Sequence, residues 1–209
     1  MAAFPDDFQD QLTLLMRLRR DVRRFRSDPV EEALVTHCLD AFRLAPSVGL
    51  SETWRLVRVQ TPAARAAALA NYKQANAAAL AGYGGDEAAD YSALKLSGME
   101  EAPVHLAVFS DESSDKGRGL GAQSMPEMRR YSVVCAITLM WLRARAKGLG
   151  IGWVSILDAQ ALARRLDVPD DWVLVGYLCL GWPEAEGETP ELETLGWEER
   201  RRDLPIETR

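Results

Sequence analysis

Histidine and cysteine are scarce: His37 and His105, then Cys38, Cys135 and Cys179, are all the chain has in 209 residues. The cysteines lie far apart with no C-x-x-C spacing, so no zinc pattern exists and no metal site is expected. Each falls in an apolar run, where cysteine reads as a small buried hydrophobe, which makes a reducing cytoplasm the natural compartment. The opening Met-Ala-Ala-Phe-Pro-Asp-Asp has no basic region leading into an apolar stretch, and no run is long enough to span a bilayer. A soluble, cytoplasmic protein without membrane partners is the expectation. Missing too are a G-x-G-x-x-G after a strand and a G-x-x-x-x-G-K-[ST], the usual backbone cradles for dinucleotides and triphosphates. A net charge of −6 and a pI near 5.1 exclude general affinity for nucleic acid.

Lysine is also rare, 4 residues against 21 arginines, and six of those arginines fall within residues 17–26. Arg19-Arg20-Asp21-Val22-Arg23-Arg24-Phe25-Arg26 is therefore a basic segment in an acidic chain, with a single carboxylate inside it. Arginine favours planar, bidentate recognition of phosphate or carboxylate. A run of this kind is often a solvated face or a sticky arm. Val22 and Phe25, three residues apart, instead suggest one side that docks on a core while Arg19, Arg20 and Arg23 point elsewhere. With no glycine cradle available, a bound phosphate must be held by side-chain arginines.

The length suits one domain over residues 1–209. Asp28-Pro29-Val30-Glu31 has the capping-box form and predicts a helix to about Leu44. Trp54 to Val59 alternates as a strand, and Thr61-Pro62 opens an alanine-rich helix to about Ala81. A glycine-rich, acidic stretch, Gly82 to Asp90, follows it. Pro103 to Phe109 is a second strand, followed by a polar loop from Asp111 to Gly121. Ser124-Met125-Pro126-Glu127 predicts a second capping box and a helix from Glu127 to Lys147, stopped by Gly148, with Val134, Ile137, Thr138 and Trp141 on its buried face. Ile151 to Ile156 and Trp172 to Leu180 are strands separated by a short helix from about Asp158 to Leu166, and the tail beyond Trp182 is expected to be extended. Helices outnumber strands without regular alternation, which favours an α+β sandwich over a doubly wound parallel sheet.

Four stretches in this order resemble the nitroreductase-like flavoproteins: the arginine segment, Ala45-Pro46-Ser47, Trp54-Arg55, and the strand and turn from Gly148 to Asp158. Aspartate at position 21, together with Ala45 to Ser51 and Gly119 to Glu127, narrows the resemblance to the 5,6-dimethylbenzimidazole synthase branch of cobalamin biosynthesis. The likeness covers about Asp10 to Arg202. One departure is Ser51-Glu52-Thr53-Trp54-Arg55, where Ser-Gln-Pro-Trp-Arg is more usual.

The resemblance implies a nitroreductase-like α+β fold, with a mainly antiparallel sheet flanked by helices and an extended C-terminal segment exchanged in a homodimer. It implies FMN, in its reduced form, as a substrate that is fragmented by dioxygen into the benzimidazole base and erythrose 4-phosphate. NAD(P)H would act only indirectly, through a separate flavin reductase. Asp21 and Ser155 take the catalytic positions by resemblance. On the residues alone, Asp21 equally reads as an ion pair ordering the arginines, and Ser155 as a hydroxyl with a backbone partner at a strand end. Arg19, Arg20, Val22 and Arg23 would contact the flavin with Asp21, and Ser47, Ser51, Trp54, Arg118, Ser155 and Leu157 would complete its site. Backbone groups near Leu157 and Asp158 would face the flavin's central nitrogen. Ser47 serves equally well as a local cap. Arg118 and Gly119 sit in a loop suited to closing over the site. Trp182, Trp197 and Arg200 to Arg202 occupy the tail that embraces the partner. Two other readings are a conventional NAD(P)H-dependent FMN nitroreductase or flavin reductase, and a flavin-binding module without catalysis.

Overall fold

All eight residues of Val104–Asp111 (β2) are buried in the computed structural model, which describes residues 3–209. This strand is interior, between β1 (Trp54–Arg58) and β4 (Trp172–Gly181), and β3 (Gly150–Val154) lies beyond β4. All neighbouring pairs are antiparallel, with a bulge where Val108 and Phe109 face Gly176 and Leu174.

The two-residue period of β2 sorts its side chains onto two helical layers. Val104, Leu106 and Val108 pack with Val35 and Cys38 of α2 (Glu32–Leu39), Phe42 of the following 3-10 turn, and Ile137 and Met140 of α5 (Met128–Ala146). Ala107 and Phe109 pack on the other face with Ala68 of α3 (Pro62–Leu80), Leu162 of α6 (Ala159–Arg165), Phe25 and Tyr177. The expected α+β sandwich is therefore the observed architecture. Thr61 caps α3 by accepting the Ala64 N–H at 3.2 Å.

Several local expectations need correction. A helix over Asp6–Leu18 (α1) precedes the arginine segment where the sequence reading has none. The glycine-rich acidic stretch, to which the sequence reading assigns no element, is helical from Gly85 to Ala93 (α4), with Asp86 and Glu87 in the first turn where the helix dipole favours them. Neither capping box forms: α2 and α5 begin after Glu31 and Glu127, and neither N-cap makes a side-chain capping hydrogen bond. Asp28 pairs with Arg26 instead, and the loop before α5 winds into it through turns such as Met125 N–H to Gly121 C=O. The buried face of α5 includes Ile137 and Trp141 as expected, but Val134 and Thr138 are exposed and Val133, Ala136 and Met140 replace them. Cys38 and Cys179 are buried, whereas Cys135 is exposed. The tail contains one helical turn, α7 (Glu191–Thr194). Among the described residues no helix is long and apolar enough to cross a membrane.

Beneath the second layer lies a buried polar pair. His105 Nδ1 is 2.8 Å from the Tyr177 hydroxyl, and its Nε2 has no hydrogen-bond partner among the described residues. Burial, and then the nearby Arg65, push the His105 pKa down to about 4 from an ordinary 6.5. Between those values the unfolded chain binds a proton that the folded chain refuses, so stability must fall as pH drops. The loss begins near pH 6.5 and is complete near pH 4, amounting to about 3 kcal/mol from this group. Urea unfolding at intervals across that range should show the decline, with a shallower slope in His105→Gln. An equal slope in both proteins would remove His105 as the cause.

Candidate active site

Glycine on β3 lets a second backbone approach its free edge. An added Cβ at Gly152 would stand 2.1 Å from the Val22 carbonyl oxygen, and one at Gly150 would stand 2.6 Å from the Val22 side chain. Against this smooth edge the arginine segment adds a short parallel bridge, Asp21 to Ile151, with the Val22 N–H donating to Ile151 C=O at 3.0 Å. Phe25 follows into the core, pairing with Pro183. One face of the segment docks and its arginines point away, as the spacing of Val22 and Phe25 predicts.

Both oxygens of Asp21 are engaged. Oδ1 accepts the Trp153 N–H at 2.8 Å, and Oδ2 accepts from Arg23 Nε at 2.9 Å. The ordering ion pair is thus present, and it holds the carboxylate at a defined place on β3. Arg19 lies over the Trp141 ring, 4.9 Å from its centroid, while the Trp141 indole N–H donates to Arg20 C=O. Arg20 donates to the carbonyls of Arg19 and Glu188, and Arg23 reaches Lys95 C=O. These arginines and Asp21 line a cavity of about 180 Å³, closed by Pro190, Glu191, Leu192 and Arg200. Burial lowers the Arg20 pKa, and the like charges of Arg200 and Arg19 lower it further against Glu188 and Glu193. A bound anion would relieve that repulsion.

Ser155 follows the end of β3 and is exposed. It lies two residues beyond Trp153, the residue that holds Asp21, a separation of roughly 7 Å in extended chain. The Leu157 N–H turns back to Ser155 C=O, and the Asp158 N–H donates to Asn71 Oδ1, so a flavin nitrogen facing that turn would compete with internal acceptors.

The remaining candidates form a second group. Ser47 Oγ accepts the Glu52 N–H at 3.2 Å, which is the local capping role. Ser51 is buried, and its hydroxyl has no partner among the described residues. Trp54 packs edge-on against Phe42. Arg118 belongs to a loop that interlocks with residues 48–52: a Cβ on Gly117 would come within 2.5 Å of Gly49 C=O, and Lys116 pairs with Glu52. Leu50, Glu52 and Arg118 all have positive φ, rare for residues with a side chain. Thr53, standing where proline is usual, is buried and bonded to Arg129 C=O and Ser110 Oγ.

Helix α5 spaces the two groups. Ser132 Oγ accepts the Val48 N–H, and Trp141 holds Arg20 nine residues further on, roughly 14 Å along the axis. Sequence reasoning missed Trp153 as the donor to Asp21, Lys95 as a partner of Arg23, and Arg200 as a wall of the arginine cavity. The alternating glycines of Gly148-Leu149-Gly150-Ile151-Gly152 were the readable signal for close approach at β3.

Residues 16–182 match the model of the nitroreductase family. The chain belongs to the nitroreductase family. A 5,6-dimethylbenzimidazole synthase of Rhodospirillum rubrum is 52% identical over 95% of this chain and 94% of its own length. One from Rhodobacter capsulatus is 46% identical over 98% and 97% respectively. The branch read from Asp21 and its companion motifs is the branch these relatives carry. Among solved structures, iodotyrosine deiodinase bound to FMN and 3-iodo-L-tyrosine superposes with a TM-score of 0.75 at 21% identity, covering 95% of this chain and 98% of that one. An Exiguobacterium sibiricum structure in complex with FMN gives 0.65 at 16%, covering 98% and 95%. Both share the nitroreductase fold.

Proposed function

We propose that this nitroreductase-family enzyme makes 5,6-dimethylbenzimidazole by oxygen-dependent fragmentation of reduced FMN, releasing erythrose 4-phosphate. The observation that carries the reading is a carboxylate fixed at a sheet edge inside an arginine-lined cavity, in a chain 52% identical to a relative named for that synthesis. Arg19, Arg20 and Arg23 would hold the phosphate and offset negative charge on the reduced ring. Val22 and Leu157 would flank the ring, and Asp21 would hold or move a proton beside it. Ser155, exposed on the same stretch of chain, would position dioxygen or a second proton. The FMN supplies the ring that reacts with dioxygen and is itself consumed. A separate NAD(P)H-dependent flavin reductase would provide it in reduced form, and buried, unpaired Cys38 and Cys179 suit a reducing cytoplasm.

A homodimer is part of this proposal. Ser47, Ser51, Trp54 and Arg118 lie apart from the arginine cavity, so a second copy would bring the two groups onto one flavin, where the partnerless Ser51 hydroxyl has a use. Phe8, Leu12 and Met16 expose a stripe of α1, and Tyr131 and Val134 expose one face of α5, as an interface requires. Residues 198–209 are exposed throughout and carry Leu204 and Ile206, apolar side chains suited to embracing a partner.

The test mixes stoichiometric purified protein with chemically reduced FMN without oxygen, admits air, and analyses the products by chromatography and mass spectrometry. Formation of 5,6-dimethylbenzimidazole is the expected result. Quantitative recovery of intact FMN with hydrogen peroxide would overturn it in favour of a conventional flavin reductase or a binding module.

A further inference from the structure

The arginine cavity has one wall that the sheet does not supply. Arg200 closes it from a tail that is exposed on every residue after Trp197. A guanidinium on such a tail would sample many positions unless something upstream is anchored. Trp197 is the anchor at hand. Its ring meets Tyr83 at 5.8 Å and Tyr91 at 6.2 Å, both edge-on, and the two tyrosines stack on each other at 4.8 Å. Edge-to-face contact of this kind is directional, so it fixes orientation as well as location. The seat is itself tied down, since Tyr91 is buried and its hydroxyl donates to Asn76 Oδ1 on α3 at 2.8 Å. The chain between the cavity wall and the ring is closed too: the Trp197 N–H donates to Leu192 C=O at 2.8 Å, through a turn that needs the positive φ of Gly196. Two residues, Glu198 and Glu199, separate Trp197 from Arg200, and Arg200 lines the same cavity as Arg20, which brings the two charges close.

We propose that Trp197 is a positioning residue for the anion site: its seat on Tyr83 and Tyr91 holds the tail so that Arg200 faces Arg20 across the cavity and adds its charge to phosphate binding. The inference rests on the reading of this cavity as the FMN phosphate site, and it assigns to α4 and the tail a part in affinity that no contact with the flavin ring requires. Without the clasp, a bound phosphate would have to order the tail at its own cost.

FMN and riboflavin, which lacks the phosphate, are titrated into the full-length protein and into Trp197→Ala, Trp197→Phe, Tyr83→Ala, Arg200→Gln and the Trp197→Ala/Arg200→Gln double variant. FMN affinity should fall about tenfold in Trp197→Ala and in Tyr83→Ala, and return with phenylalanine at position 197, while riboflavin affinity stays constant. The double variant should be no weaker than Arg200→Gln alone, because Trp197 acts through that arginine. Native FMN affinity in Trp197→Ala, an equal loss for both flavins, or additive losses in the double variant would overturn the proposal. A wild-type protein that binds riboflavin as tightly as FMN would overturn the phosphate reading of the cavity as well.

Discussion

Replacing Gly152 by alanine is expected to weaken FMN binding about a hundredfold or more, without any change to a residue that would touch the phosphate. The added Cβ would fall 2.1 Å from the Val22 carbonyl oxygen, where a comfortable carbon–oxygen contact is about 3.3 Å or longer. Backbone stands on both sides of this clash, so no rotamer change relieves it. The arginine segment must lift from β3, breaking the Val22 to Ile151 hydrogen bond and drawing Asp21 away from the Trp153 N–H. Arg19, Arg20 and Arg23 travel with it. Overpacking of this kind also costs about 1–3 kcal/mol of stability, which denaturant unfolding would register. Gly84→Ala serves as the control, since its added Cβ meets nothing within 4 Å. Native FMN affinity in Gly152→Ala would show that the docked segment does not form the binding site.

The contrast between Gly152 and the arginines shows what a sequence carries openly. The alternation in β1, the Thr61-Pro62 start of α3 and the glycine stop after α5 are local signals, and the elements they announce are present. The stripe Phe8, Leu12 and Met16 has helical spacing, so α1 was legible and went unread beside the charge cluster that follows it. One element was left unassigned because composition outweighed position: the glycines and acids of α4 hide a helix until Asp86 and Glu87 are seen as a first turn. The capping boxes are displaced by other local contacts: Asp28 pairs with Arg26 two residues before it, and the residues around Ser124 wind into α5 through turns. In the site, the chemistry of the arginine segment was visible in its residues. Its docking on β3 was not, since nothing in residues 19–25 names a strand beginning at Gly150. The family resemblance implied only that both stretches meet one flavin, and the glycines facing Val22 are what lets them touch. Trp153 could not be found by residue type at all, because its contribution to Asp21 is a backbone N–H.

Asp21→Asn separates holding from chemistry, and it is expected to reduce base formation by about 10²–10⁴-fold, the usual loss when a general acid or base is removed. Asparagine can keep one of the two present bonds, accepting the Trp153 N–H through its amide oxygen. Its NH₂ would then confront Arg23 Nε, donor against donor, so the ion pair is lost and Arg23 is released. That side effect must be measured separately, and Arg23→Gln does so by freeing Arg23's partner while leaving the carboxylate in place. FMN affinity should fall only severalfold in either variant, since Arg19, Arg20 and Arg200 still line the cavity. Product formation from reduced FMN in air should then differ sharply: nearly absent in Asp21→Asn, and retained in proportion to binding in Arg23→Gln. Equal losses in the two variants would mean that Asp21 serves only to aim Arg23, and undiminished product in Asp21→Asn would remove the carboxylate from the reaction. The arrangement favours the sharp difference between the two variants, because a carboxylate pinned by a backbone N–H at a strand edge keeps its place whether or not its arginine partner is present, and a group that moves protons needs that fixed place.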